Sequence, residues 1–88
     1  MMTREQVERI VCAAQQRSHA AFTRTFGMRP GPARYLRLAT LWEREARWWR
    51  VLLLHTDPRS PYLWAVVQAC NSALRNAQTY RELAGGAR

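Results

Sequence analysis

The segment LWEREARWWRVLLL, from Leu41 to Leu54, contains three tryptophans and three arginines. At the helical spacing of about 100° per residue, most apolar side chains in and just before this segment fall on one half of a helix. That half comprises Tyr35, Leu38, Leu41, Trp42, Trp49, Leu52 and Leu53. No part of the chain alternates apolar and polar residues with a period of two. The sequence therefore predicts an all-α protein in which this helix contributes a wide core-facing stripe.

The tryptophans are expected to be core residues. Trp42 and Trp49 are seven residues apart in the apolar stripe, and antiparallel packing brings Trp64 of the following helix to the level of Trp48 to Leu52. Large aromatic side chains are mostly buried in folded proteins. We therefore expect Trp42, Trp49 and Trp64 to pack in the interior, near one end of the molecule.

Capping and breaking residues divide the chain into three helices of about residues 4–26, 32–55 and 61–84. The marking residues are Thr3 with Gln6 as a capping box, Gly27 as a left-handed C-cap, Pro32 in a first turn, Ser60 with Pro61 as N-cap and first turn, and Gly85 with Gly86 as a stop. Both links are short, which favours antiparallel neighbours. Residues 1–88 should form one domain, either an up-down-up three-helix bundle or an assembly of helical hairpins.

The charge of the chain is strongly basic. Its 88 residues carry a formal net charge of +8, and all 14 basic residues are arginine, a bias that a GC-rich genome explains. Such a charge attracts nucleic acid, acidic proteins and anionic lipid without specificity. No segment has the roughly 20 uncharged apolar residues of a spanning helix, and the N-terminus does not resemble a signal peptide. We expect a cytoplasmic protein that does not enter the membrane.

The chemistry of a catalytic or metal site is missing from the sequence pattern. Cys12 and Cys70 cannot form a four-ligand metal site with His19 and His55, because the two histidines lie at opposite ends of the predicted bundle. A disulfide is not favoured, since Cys12 lies off the apolar stripe of its helix. The six acidic residues form no inward-facing pair. We expect no enzyme activity, no metal and no cofactor.

A second set of apolar residues lies on the opposite side of the second helix, interleaved with arginines. A three-helix bundle of this size has no further layer to cover such a strip, so it is a candidate interface. Scattered surface leucines are an equally good interpretation, because single exposed apolar residues are common. The candidate protein-interface residues are Leu36, Arg44, Arg47, Trp48, Val51 and Leu54.

Glu45 falls on the apolar side of the second helix, between leucines and tryptophans. A buried carboxylate needs a partner, because an unpaired buried charge costs several kcal/mol. Antiparallel packing would bring Glu45 near Gln16 and Asn71, and a polar network inside the bundle is the favoured interpretation. The alternative is that Glu45 faces an interface and meets an arginine of a partner.

Arginines on two helices form the candidate site for an alternative function, the binding of nucleic acid. If the two sets converge they form a basic groove, and Trp48 could stack on an unpaired base. Two prolines interrupt the only segment that resembles a helix-turn-helix, so direct reading of base sequence is not expected. The candidate nucleic-acid residues are Arg9, Arg17, Arg24, Arg37, Arg44 and Arg47. Binding to a membrane surface ranks third.

These features together predict a non-enzymatic helical protein–protein interaction module. Small basic helical domains without motifs are typical of accessory proteins of phages and mobile elements, including inhibitors that dock on a host-defence complex. The partner is then another protein, or a second copy of the chain in a homodimer. Nucleic-acid binding is the first alternative, and a small secretion-type chaperone is the second.

Overall fold

The computed structural model describes residues 2–86 and consists of three α-helices joined by two short turns. They are α1 (Arg4–Phe26), α2 (Pro32–Leu54) and α3 (Leu63–Gly86), and no strand occurs within residues 2–86. The all-α prediction is confirmed, and the bounds of α1 and α2 agree with the sequence to within one residue. Helix α3 begins and ends two residues later than predicted.

The starts of α1 and α3 follow from their capping residues. The Gln6 N–H donates to Thr3 Oγ1 at 3.2 Å, and the Thr3 N–H donates to Gln6 Oε1 at 2.8 Å, which completes the predicted capping box. The Tyr62 N–H donates to Ser60 Oγ at 3.2 Å, while the Leu63 N–H donates to the Ser60 carbonyl. Because this backbone hydrogen bond joins residues three apart and not four, the segment before α3 is a tight turn, and regular α-helix starts only at Leu63.

The glycines do not have the helix-ending roles that the sequence predicted for them. Gly27 has φ −80° and ψ −6°, so the predicted left-handed cap is wrong, and α1 ends instead in a tight turn in which the Gly27 N–H donates to the Arg24 carbonyl. The positive φ of this link, 154°, belongs to Gly31 at the N-cap of α2. Gly85 and Gly86, predicted to stop α3, both lie inside it.

Helix α2 lies between the other two helices and is antiparallel to both. Phe22 of α1 packs on Trp42 with ring centroids 4.8 Å apart, and Tyr80 of α3 stacks on Tyr35 at 6.2 Å. Over residues 2–86, no Cα atom of α1 comes within 8 Å of one in α3, whereas both helices pack on α2. The up-down-up bundle is therefore confirmed, with an open seam between α1 and α3.

The core is built mainly from small side chains at heptad spacing. On α1 the buried residues are Val7, Val11, Ala14, Ser18, Ala21 and Thr25, and on α3 they are Val66, Ala73 and Ala77. Six of the eleven buried apolar residues are alanine. Alanine lets two helices approach closely, since the separation of helix axes depends on the side chains between them. Accordingly the Cys70 thiol reaches the Ala46 carbonyl on α2 at 3.6 Å.

The aromatic residues surround this core without entering it. None of the nine aromatic side chains, all within residues 2–86, is fully buried. Trp42 and Trp49 are half-buried along the seam, so the predicted core position holds for them only in part. Trp64 is 73% exposed, and its predicted core position is wrong. The buried stripe of α3 begins at Val66, and a residue two positions earlier lies on the far side of the helix.

The molecule is elongated and exposes more surface than a typical protein of its mass. Its extents are 46 × 21 × 19 Å and its radius of gyration is 14.7 Å, against about 12 Å for a compact chain of this length. Its accessible surface is 6554 Å². A compact monomer of 10.3 kDa exposes about 5,350 Å². The excess follows from packing three long helices with α1 and α3 held apart.

Candidate interaction site

The outer strip of α2, which we define as Leu36, Arg44, Arg47, Val51 and Leu54, faces neither α1 nor α3. Leu36 is 51% exposed, Leu54 is 77% exposed and Val51 is half-buried. Leu36 and Leu54 are separated by about 27 Å along the helix. The strip therefore has two apolar ends with exposed arginines between them, as the sequence predicted, but no continuous apolar patch.

Trp48 lies at the edge of the outer strip, on the side that faces α1. It is half-buried, and the antiparallel register places it near the level of Ala13 and Ala14 of α1. Trp48 therefore belongs to the junction of α1 and α2 as much as to the outer strip. A stacking partner could reach only the exposed part of its ring.

Four of the predicted nucleic-acid residues share one face of the α1–α2 hairpin, which we call the basic face: Arg17, Arg24, Arg37 and Arg44. The Phe22–Trp42 and Arg34–Phe26 contacts set the register of the hairpin and place Arg17 near the level of Arg44. The same register places Arg24 near Arg37, about two helical turns further along. All four are exposed. The two predicted sets thus converge for these residues.

The other two predicted nucleic-acid residues point elsewhere. At 100° per residue, Arg9 projects from the side of α1 opposite its buried stripe, and Arg47 lies on the outer strip beyond the basic face. Both are exposed, so they add to the general positive field without extending the convergent set. The structure brings together four of the six residues.

The ion pairs among the described residues do not neutralise any arginine of the basic face. Within residues 2–86 the charged side chains form three pairs: Arg4 with Glu8 at 2.9 Å, Arg59 with Asp57 at 3.7 Å, and Arg81 with Glu43. None includes a residue of the basic face. Exposed pairs of this kind each contribute roughly 0–1 kcal/mol to stability. Of the three, only the Glu43–Arg81 pair joins two helices, α2 and α3.

A groove runs between α2 and α3 on the side away from the seam. Its apolar lining has Leu53 towards one end and Leu74 towards the other. Ala46 and Cys70 lie at its floor, and Arg47, Arg50 and Glu43 line its edge. We call this the α2–α3 groove, and it encloses about 540 Å³. Sequence reasoning missed it because Leu53 was assigned to the core stripe of its helix.

A smaller apolar cavity of about 340 Å³ lies at one end of the seam, where all three helices meet. Its apolar lining includes Val11, Trp49, Leu52, Tyr62 and Val66. The exposed Arg4–Glu8 pair lies at its edge. The half-exposure of Trp49 follows from this cavity, since neither α1 nor α3 closes over the indole ring.

Glu45 has neither of its predicted partners. Its Oε2 atom is buried and makes no hydrogen bond within the described part of the chain, whereas Gln16 and Asn71 are both exposed. The predicted internal network is therefore wrong. Glu45 lies on the α1-facing side of α2, so the alternative contact with a partner's arginine would require α1 to move. The Trp42 Nε1 and Ser18 Oγ atoms at this junction are also buried without partners.

The titratable side chains are scattered. Across residues 2–86 no three His, Cys, Asp or Glu side chains come close enough to hold a metal ion. Cys12 is exposed and Cys70 is half-buried, both as free thiols, and His19 and His55 are exposed. None of the helices in the described range is both long and apolar enough to cross a bilayer.

Comparison with protein-family models, with curated proteins and with solved structures finds no match to this chain.

Proposed function

We propose that this protein is a non-enzymatic helical interaction module that binds another protein through the outer strip of α2. The observation that carries this proposal is the exposure of large apolar side chains around a core made of alanine. Leu36 and Leu54 lie in the outer strip, and Tyr62, Trp64 and Leu74 are exposed on the neighbouring turn and α3. Exposed apolar side chains with arginines beside them are the kind of residues that a partner protein buries.

The surface area and the residue types agree with this function. The molecule exposes about 1,200 Å² more than a compact monomer of its mass, whereas a standard protein interface takes about 800 Å² from each partner. Tryptophan, tyrosine and arginine are the residues that contribute most to binding at such interfaces. Docking one partner would therefore bring the exposed area close to that of a typical monomer.

Such a module acts by occupying a surface. It carries out no reaction, so its effect is to block, recruit or stabilise the complex on which it docks. An accessory or inhibitor protein of a phage or mobile element, docked on a host-defence complex, is one role of this kind. Self-association through the same strip is the other form of the proposal.

A photo-cross-linking amino acid at position 54 tests the proposal in cells of the native host. The control carries the same amino acid at Thr79, which is exposed on α3 at the opposite end of the molecule from Leu54. We expect a discrete protein adduct at position 54 that is lost in Val51→Glu and absent at position 79. Equal adducts at both positions, or none at position 54, would overturn the outer strip as the interface.

Nucleic-acid binding is the second candidate function, and the convergence of four arginines on the basic face favours it. Arginine binds phosphate through two parallel hydrogen bonds, and such contacts make the affinity fall as salt rises. The face presents no aligned base-reading helix, so it would bind the backbone without sequence preference.

Size-exclusion chromatography with light scattering, over a salt series and with single- and double-stranded 30-mers, separates the two functions. Arg24→Glu with Arg37→Glu should abolish any complex with the 30-mers, because both residues belong to the basic face and neither to the outer strip, while Val51→Glu with Leu54→Glu should leave it intact. A dimer or a complex with a partner protein that is lost in Val51→Glu with Leu54→Glu, and kept in the arginine variant, supports the outer strip as the interface. If the wild type shifts neither oligonucleotide at about 150 mM salt, where charges are screened over roughly 8 Å, the second candidate fails.

A further inference from the structure

Helix α3 carries a second stripe at heptad spacing beside the one that packs on α2. The stripe consists of Leu63, Val67, Cys70, Leu74, Ala77 and Arg81. Ala77 is buried, but Leu63, Val67 and Cys70 are only half-buried and Leu74 is 51% exposed. Spacings of four and three residues are those at which one helix accepts the side chains of another. This face of α3 therefore has the pattern of a helix–helix contact, of which α2 covers only the inner members Cys70 and Ala77.

The α2 side of the groove supplies the matching wall and the charge. Leu53 lies towards one end of the groove and Leu74 towards the other. The small residues Ala46 and Cys70 leave depth between them. Arg47 and Arg50 stand along the α2 edge, both exposed and neither within 4.0 Å of a carboxylate in the described residues. An occupant with apolar side chains towards the floor would meet two free guanidinium groups at its flank.

We propose that the α2–α3 groove binds an acidic amphipathic helix of the partner protein, which packs as a fourth helix against α2 and α3. Leucine-like side chains of that helix fill the space between Leu53 and Leu74. Its flanking carboxylates pair with Arg47 and Arg50, and charge-assisted pairs with arginine favour that orientation. This inference rests on the proposed function and specifies the chemistry of the partner.

Charge decides between an acidic partner and a second copy of the chain. The formal net charge is +8, and two grooves placed face to face would bring the Arg47 and Arg50 side chains of both copies together. Like charges in a desolvated interface oppose association. Glu43, the acidic residue that lines the groove, is already paired with Arg81. An acidic helix can therefore pair with the two arginines at the groove edge, whereas a second copy of the chain cannot.

The binding of a labelled synthetic peptide, measured by fluorescence anisotropy at about 150 mM salt, tests the inference. The peptide has three heptads, about 21 residues, with leucine at the core positions and glutamate at the flanking positions. A second peptide of the same composition is shuffled so that leucine no longer recurs at heptad spacing. Both carry the same charge, so they distinguish a groove contact from attraction by the overall field.

Two charge-reversal variants provide matched controls. Arg47→Glu with Arg50→Glu removes the groove edge, while Arg9→Glu with Arg75→Glu makes the same change of charge on exposed faces outside it. Leu74→Glu tests the apolar wall, and the circular dichroism of each variant verifies its fold. We expect the groove variants to weaken binding at least tenfold, and the distant pair to weaken it less than about threefold.

Each outcome of these experiments either supports or contradicts the inference. Preference for the heptad peptide, with loss only in the groove variants, supports the inference. Equal binding of the two peptides, equal losses in the two charge-reversal pairs, or no binding by the wild type would overturn it. The cross-linking experiment at position 54 does not use the peptide, so the proposed function can survive a failure of the groove inference.

Discussion

At the scale of single residues, Gly31 has the clearest conformational requirement. Its φ of 154° is one that side-chain-bearing residues rarely adopt, although no atom would obstruct a Cβ there. We expect Gly31→Ala to lower the free energy of unfolding by about 1–3 kcal/mol, because the cost is backbone strain. Gly85→Ala, inside α3 with open space around it, should be neutral or raise stability by up to about 1 kcal/mol. Urea denaturation of both variants measures the difference, and equal effects would contradict the assignment.

Glu45 is the residue whose polar group opposes folding. Its buried Oε2 atom gives up hydration without gaining a hydrogen bond in the described residues. Glu45→Leu should therefore raise the free energy of unfolding by about 1–3 kcal/mol, since an apolar side chain removes the desolvation cost.

Glu45→Gln is the matched control for this prediction. It keeps a polar group of the same size and should recover less than half of the gain. Denaturation curves of the two variants give the comparison. A less stable Glu45→Leu would mean that the carboxylate has a favourable interaction that the buried oxygen does not reveal.

At the scale of helices, the alanines between α2 and α3 set the distance between the two axes. Ala73 is 1% exposed, so the larger side chain in Ala73→Leu has no space to occupy. We expect a loss of about 1–3 kcal/mol in unfolding free energy from this overpacking. Ala65→Leu, on the exposed side of the same helix, should change stability by less than about 0.5 kcal/mol. Similar losses in both variants would show that helix propensity, not packing, governs the site.

The helices themselves could be predicted from the sequence, because their start and stop signals are local. The Thr3–Gln6 capping box and Pro32 each depend on hydrogen bonds or dihedral angles within one turn. The environment of Trp64 could not be predicted in this way. It depends on which side of α3 packs on α2, and the small residues of α3 determine that side. A preference for large aromatic cores pointed to the wrong stripe.

At the scale of the whole molecule, the interaction surfaces were predictable in part. The exposed positions of Leu36 and Leu54 follow from one helical periodicity, so the sequence was sufficient for them. The convergence of Arg17 with Arg44 needed the register of α1 on α2, which the Phe22–Trp42 contact sets. The α2–α3 groove was missed because its lining comes from two helices, and the periodicity within one helix does not give the packing of the other helix on it.

The excess of arginine also predicts how the whole molecule responds to salt. With a formal net charge of +8 and few ion pairs, the folded state is opposed by repulsion among its own side chains. Raising sodium chloride from about 20 to about 200 mM shortens the screening length to under roughly 10 Å and should raise the Tm by several degrees.

Calorimetry of the wild type beside Arg9→Glu with Arg75→Glu tests the origin of this effect. The two charge reversals lower the formal net charge by four units, from +8 to +4. Because repulsion is then weaker at low salt, the variant should begin with a higher Tm and gain less from salt than the wild type. A Tm that falls with salt in both proteins would mean that the three surface ion pairs outweigh the repulsion, and would also weaken the case that the exposed arginines await an acidic partner.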